Sequence, residues 1–223
     1  MRKVTDEAHA NAQENIALPA FVPYPPAPWH AVGQAWAGLF RANRTESLPP
    51  GLTPLIGAGW RVVALVRYLE GSDLCYDEVI VGALARVGWR VGLYVETIAV
   101  DSASSLWGGR RIWGLPKTLA TFTWEGDHCR ITDSEGLMMT LRVNRHNGWL
   151  PSLLLAAVGI GRLDERWAML TAPGRARLIQ AGLHIEEWSA RFPYTLAHKP
   201  LIACAANPFH VMFPPPKIVG SKH

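Results

Sequence analysis

From Trp60 onward the apolar residues of this chain recur mostly at every second position, and a two-residue period admits sheet and little else. Arg61-Val62-Val63-Ala64-Leu65-Val66-Arg67-Tyr68-Leu69 predicts a buried strand, ended by the Gly71-Ser72-Asp73 turn. Residues 76–82 and 90–100 predict two more. Residues 118–124 alternate Ala120, Phe122 and Trp124 against Leu119, Thr121 and Thr123. Residues 129–132 and 137–143 predict a hairpin around Asp133-Ser134-Glu135-Gly136. Phe209, Val211 and Phe213 alternate until Pro214-Pro215-Pro216 stops the strand. Residues 30–43, with Val32, Trp36, Leu39 and Phe40, fit helix or strand equally well. Residues 164–170 predict a short helix capped by Asp164. Many strands and few helices give a mainly β (α+β) class. An antiparallel sheet closed or nearly closed on itself would also remove exposed edges.

With 223 residues the chain has room for one domain with a full core. Residues 1–20 read as a tail, and Pro23-Tyr24-Pro25-Pro26-Ala27-Pro28-Trp29 leads, extended, into a single domain over 21–223. The net charge of +4 is spread thinly, without basic residues alternating with aromatics, so nucleic acid is not an expected partner. Cys75, Cys129 and Cys204 are odd in number and far apart, which argues against a disulfide framework and suits a reducing compartment. The acidic amino end does not resemble a signal peptide, and the longest uncharged apolar stretch, 148–161, is too short to cross a bilayer. The expected setting is the cytoplasm, away from membranes. The eight histidines never fall at metal-ligand spacing, and neither a metal nor a cofactor is expected.

The positive charge is carried by seventeen arginines and only five lysines, four of them near the termini (Lys3, Lys199, Lys217 and Lys222). The fifth, Lys117, lies in Gly108-Gly109-Arg110-Arg111-Ile112-Trp113-Gly114-Leu115-Pro116-Lys117-Thr118-Leu119-Ala120. Lysine differs from arginine in that its amine can lose a proton and act as a nucleophile. Gly108-Gly109 and Gly114 permit positive φ and close backbone approach, and Pro116 fixes the chain just before the lysine. Trp113, Leu115, Leu119 and Phe122 surround it with apolar bulk. Desolvation there is expected to lower the amine pKa, and Lys117→Met is then expected to raise the melting temperature. The alternative is a lysine that snorkels from a strand end to water or pairs with a carboxylate.

Tyr76-Asp77-Glu78, then Val100-Asp101-Ser102, then Gly109-Arg110-Arg111-Ile112-Trp113-Gly114-Leu115-Pro116-Lys117 closely resembles the acetoacetate decarboxylase family and its decarboxylase-like relatives. The family pattern runs Tyr-x-Glu, a strand ending in aspartate, Gly-Arg-Glu, an aromatic-Gly pair, Pro-Lys and a short strand. The resemblance extends more weakly from Pro25 to the strand at 209–214.

The resemblance implies a mainly antiparallel β-barrel or cone that assembles into homo-oligomers and takes a small keto acid or other carbonyl ligand. It implies Lys117 as the Schiff-base lysine and Glu78 as the acidic residue of the same cavity. It also implies Arg110, Trp113, Leu115 and Tyr76 as the substrate-binding set. For Arg110, bracing the loop and a role in catalysis are equally open. Three positions depart from the family: Thr118 replaces a second lysine, Arg111 replaces a glutamate, and Leu115 replaces an aromatic. They point away from acetoacetate itself. Three activities fit: a Schiff-base decarboxylase, a Schiff-base aldolase or dehydratase acting on a 2-oxo acid, and a non-catalytic barrel binding an apolar carbonyl or lipid-like ligand.

Overall fold

The computed structural model describes residues 19–145 and 152–219, so nearly all of the predicted tail lies outside the described residues. Among the described residues thirteen strands and one helix follow one another: β1 (Trp29–Arg41), β2 (Thr53–Pro54), β3 (Trp60–Tyr68), β4 (Tyr76–Val87), β5 (Arg90–Val100), α1 (Ala103–Trp113), β6 (Lys117–Leu119), β7 (Thr121–Glu125), β8 (His128–Asp133), β9 (Gly136–Arg145), β10 (Ser152–Leu163), β11 (Arg166–Trp188), β12 (Ile202–Phe213) and β13 (Lys217–Val219). The ambiguous segment at 30–43 is thus strand. None of the described helix is long and apolar enough to cross a membrane.

The pairing runs β10-β5-β4-β3-β1-β12-β11, and β11 pairs β10 again, so the ladder returns to its starting strand. The expected closure is met. All of these pairings are antiparallel except the short parallel contact of β10 with β5 at Gly159–Leu93 and Ile160–Tyr94. The 23-residue β11 outruns the ring. Its far half pairs with β9, extending a second layer of β9, β8 and β7.

Alternation sorts the side chains between two environments. On β3 and β4, Val63, Leu65, Val79 and Val81 enter the largest apolar cluster with Trp36 and Phe40, packed against Ile131, Met139 and Leu141 of the second layer. The opposite face of the same strands carries Val66, Tyr68 and Glu78. A strand buried on both faces reads as a nearly continuous apolar run, which is why β3 and β4 were visible in the sequence.

Two expectations fail. Residues 164–170 are not a helix: Asp164 and Glu165 both take left-handed φ (47° and 61°) and turn the chain tightly between β10 and β11. The twelve residue pairs of that hairpin override the capping preference of one aspartate. Residues 118–124 are two strands, since β6 pairs with β5 in the ring while β7 pairs with β8 in the second layer. The hairpin of β8 and β9 forms as expected, with Asp133 opposite Gly136.

The segment between α1 and β6 is fixed by its backbone. Gly114 ends the helix in the left-handed region (φ 64°), where its N–H donates to Arg110 O at 3.2 Å. Its own carbonyl accepts from Arg162 N at 2.9 Å. A Cβ at Gly114 would lie 2.2 Å from the Arg162 carbonyl oxygen. Gly114→Ala therefore combines a left-handed alanine with a backbone clash. We expect it to cost about 2–4 kcal/mol, read as a lower urea midpoint at unchanged m-value.

Candidate active site

Lys117 opens β6 and runs parallel to β5 opposite Ile98, with its side chain 4% exposed. Its Nζ donates to Glu78 Oε2 at 2.6 Å, to Ser105 Oγ at 2.8 Å and to Tyr76 Oη at 3.4 Å. The amine also stands 5.0 Å from the centre of the Tyr76 ring. Three protons meet three oxygens, so the ammonium is fully satisfied without water.

Glu78 is equally buried and is held from both sides. Tyr68 Oη donates to Oε1 at 3.1 Å, and Tyr76 Oη reaches Oε2 at 3.4 Å. The pairing of β3 with β4 sets Tyr68 opposite Tyr76 and Val66 opposite Glu78, which brings all three polar groups onto one face. The two tyrosine rings lie 4.4 Å apart at 30°.

The helix α1 supplies the third oxygen on Nζ. Ser102 caps it by accepting from Ser105 N at 3.2 Å, and the fully buried Ser105 turns its hydroxyl to Lys117. Gly108 and Gly109 lie inside this helix, so the expected positive φ belongs to Gly114 alone of these three. Close approach is the reason for the pair. A Cβ at Gly108 would stand 2.4 Å from the Trp29 ring, and one at Gly109 would stand 2.5 Å from Lys117 Cδ. Glycine at 109 leaves the channel through which the lysine stem passes.

The remaining expected site residues are placed differently. Arg110 turns its Nε onto the Lys117 carbonyl at 2.6 Å, which is the bracing alternative. Trp113 donates Nε1–H to Pro214 O at 2.7 Å and packs with Leu115, Trp29, Val95, Ile98 and Leu170 in an apolar cluster. Lys117, Glu78 and Tyr76 are brought together; Arg110 acts through the backbone; Trp113 and Leu115 belong to the apolar packing. The sequence reading missed Tyr68 and Ser105. Tyr68 becomes visible once the turn at 71–73 sets the register that pairs it with Tyr76. Ser105 carries no comparable signal, because α1 was not predicted. Asp101 Oδ1 accepts from Asp77 N at 2.9 Å and so ties the end of β5 to the start of β4. Thr118 donates to Ile98 O at 3.4 Å.

The electrostatics overturn the expected low pKa. Burial pushes Lys117 down, but the adjoining Glu78 carboxylate and Tyr76 push it up further, and the net shift is upward. Tyr76 is pushed up to about 12 by burial and by Glu78, partly offset by Lys117. Burial and Glu78 raise Tyr68 well above the ordinary phenol value. At neutral pH both tyrosines are therefore protonated donors.

Lys117, Glu78, Tyr68, Tyr76 and Ser105 define a lysine-centred site on a closed, mainly antiparallel sheet. The acetoacetate decarboxylase (ADC) family model matches residues 19–152, and the chain belongs to that family. No curated protein sequence matches it. Solved structures share the fold at low identity. An acetoacetate decarboxylase aligns at 12% identity and TM-score 0.64, over 88% of this chain and 91% of its own. The acetoacetate decarboxylase of Legionella pneumophila aligns at 15% and 0.59, over 95% of both chains. The enduracididine biosynthesis enzyme MppR, solved with pyruvate, aligns at 14% and 0.54, over 88% of this chain and 91% of its own.

Removing one member of a buried pair strands the other, so the sign expected for Lys117→Met reverses. The variant is expected to lose about 3–5 kcal/mol at pH 7, and Lys117→Met combined with Glu78→Leu to recover most of it. A raised folded pKa means that the lysine's contribution is complete below the ordinary value of 10.5 and is lost as pH climbs through the folded value. The stability gap between the parent protein and Lys117→Met should therefore hold through neutral pH and narrow above pH 10.5. Urea titrations across that range measure it.

Proposed function

We propose that this chain is a Schiff-base-forming lyase that decarboxylates a small keto acid through Lys117, with acetoacetate itself not the preferred substrate. The observation that carries this reading is a buried lysine amine in direct contact with a buried carboxylate, inside a family whose resemblance points to that position. The amine does not need a depressed pKa. Proton transfer along the 2.6 Å contact from Nζ to Glu78 Oε2 leaves a neutral amine beside a neutral carboxyl group. That state has the same net charge as the ion pair, and burial, which penalises separated charges, narrows the gap between the two while the ion pair stays the resting form.

The Nζ lone pair attacks the ketone carbon, the C=O π pair moves to oxygen, a proton passes from nitrogen to that oxygen to give the carbinolamine, and water leaves with a second proton returned from Glu78 as the nitrogen lone pair forms the C=N bond. In the iminium so formed, the bond to the β-carboxylate breaks. Carbon dioxide departs, and the bonding pair moves to nitrogen as an enamine. Protonation of the enamine carbon and hydrolysis return the ketone and Lys117. Glu78, Ser105 and Tyr76 are the proton-bearing groups in contact with Nζ.

A second reading, aldol or dehydration chemistry on a 2-oxo acid, shares the iminium and diverges after it. The structural likeness to an enzyme solved with pyruvate favours keeping it. Reduction with borohydride in the presence of a keto-acid panel should modify Lys117 and leave Lys199 and Lys217 unmodified, as read by peptide mass spectrometry. Glu78→Gln should slow labelling about 100-fold. Carbon dioxide release separates decarboxylation from aldol chemistry. A panel that never labels Lys117 would falsify both readings and leave a ligand-binding barrel.

A further inference from the structure

We infer that Tyr68 is a positioning residue that acts through Glu78, holding one carboxylate oxygen so that the other stays aimed at the Lys117 amine. The inference rests on the Schiff-base reading and adds to it a group that no motif marks. Its basis is a division of labour across the carboxylate. Oε1 accepts from Tyr68, whereas Oε2 meets Lys117 and Tyr76. Without the Tyr68 hydroxyl, Oε1 would be a buried acceptor seeking a donor, and the nearest strong donor is the ammonium itself. Rotation of the carboxylate towards a two-oxygen grip on Nζ would hold the proton on nitrogen and oppose its transfer to Oε2.

The Tyr68 bond suits both protonation states of the pair. Against the carboxylate, Tyr68 donates to an anionic oxygen. After proton transfer to Oε2, Oε1 becomes the carbonyl oxygen of the acid and still accepts. The hydroxyl therefore keeps the carboxyl group oriented in both states. Burial and Glu78 raise the Tyr68 pKa, so its proton stays in place while Lys117 and Glu78 exchange theirs.

Packing keeps the donor still. The Tyr68 ring lies against Tyr76 at 4.4 Å and meets Phe209 and Phe213 edge-on at 5.9 Å and 6.3 Å. Its backbone is paired to Gly33 of β1 on one side and to Tyr76 of β4 on the other. A donor whose ring and backbone are both held needs no reordering when the proton moves, which is the requirement for a supporting residue. Tyr68→Phe keeps every ring contact and deletes the hydroxyl alone.

The test measures the rate of Lys117 modification by cyanoborohydride as a function of pyruvate, or of the keto acid that labels the parent fastest. Tyr68→Phe should lower the maximal rate about tenfold or more and leave the half-saturating concentration within about twofold. 3-Fluorotyrosine at position 68 keeps the donor and should retain the parent rate. In a Glu78→Gln background, Tyr68→Phe should change the rate by less than about twofold, because the group through which it acts is already altered. An unchanged maximal rate in Tyr68→Phe, a raised half-saturating concentration alone, or a full additional loss in the Glu78→Gln background overturns the positioning role. Parent labelling with an unaffected Tyr68→Phe sinks this inference and spares the Schiff-base reading, whereas an unlabelled parent sinks both.

Discussion

The buried contact between Lys117 and Glu78 is the constraint around which the surrounding structure is arranged. Two opposite charges removed from water are tolerated only when their remaining protons and lone pairs find partners. Here those partners come from three separate elements. β3 supplies Tyr68, β4 supplies Tyr76 beside Glu78 itself, and α1 supplies Ser105. Each of these elements must hold its register to within a fraction of an ångström. The ring of strands provides that for β3 and β4, while Gly114, Arg110 and the Arg162 backbone provide it for the turn that delivers Lys117.

Much of the fold was legible because β3 and β4 read as apolar runs, and because they, β5 and the β8–β9 hairpin are bounded by turns. The helix was not legible. Ala103–Trp113 contains Gly108-Gly109 at its centre, and each glycine costs a helix about 1 kcal/mol relative to alanine. The compensation is tertiary and invisible locally: one glycine admits the Trp29 ring and the other the Lys117 stem. The turn at Asp164-Glu165 misled for a related reason, since a cap preference is a local term and the β10–β11 ladder is a long-range one. In the site, the motif placed Lys117, Glu78 and Tyr76 correctly as neighbours. It misassigned the electrostatics, because apolar flanking residues signal desolvation while the pairing partner lies 39 residues away.

That error bears on how the amine would become reactive. An isolated buried lysine is a nucleophile because burial strips its proton, and a neighbouring cation assists. This chain has Thr118 where the family carries a second lysine, and Thr118 is turned to the Ile98 carbonyl. Arg110, a cation of the same motif, is committed to the Lys117 backbone. With repulsion from those positions removed, the carboxylate dominates and the ammonium is favoured. Nucleophilicity must then arise by moving the proton within the pair instead of expelling it to solvent. The two routes make opposite demands on the acid. A desolvated lysine works best with its carboxylate held away, whereas a proton-sharing pair works only if the carboxylate is close, correctly turned and kept from clasping the amine with both oxygens. The second Glu78 oxygen, its tyrosine and the rings that hold that tyrosine are therefore as much a part of the proposed chemistry as the lysine that the sequence singled out.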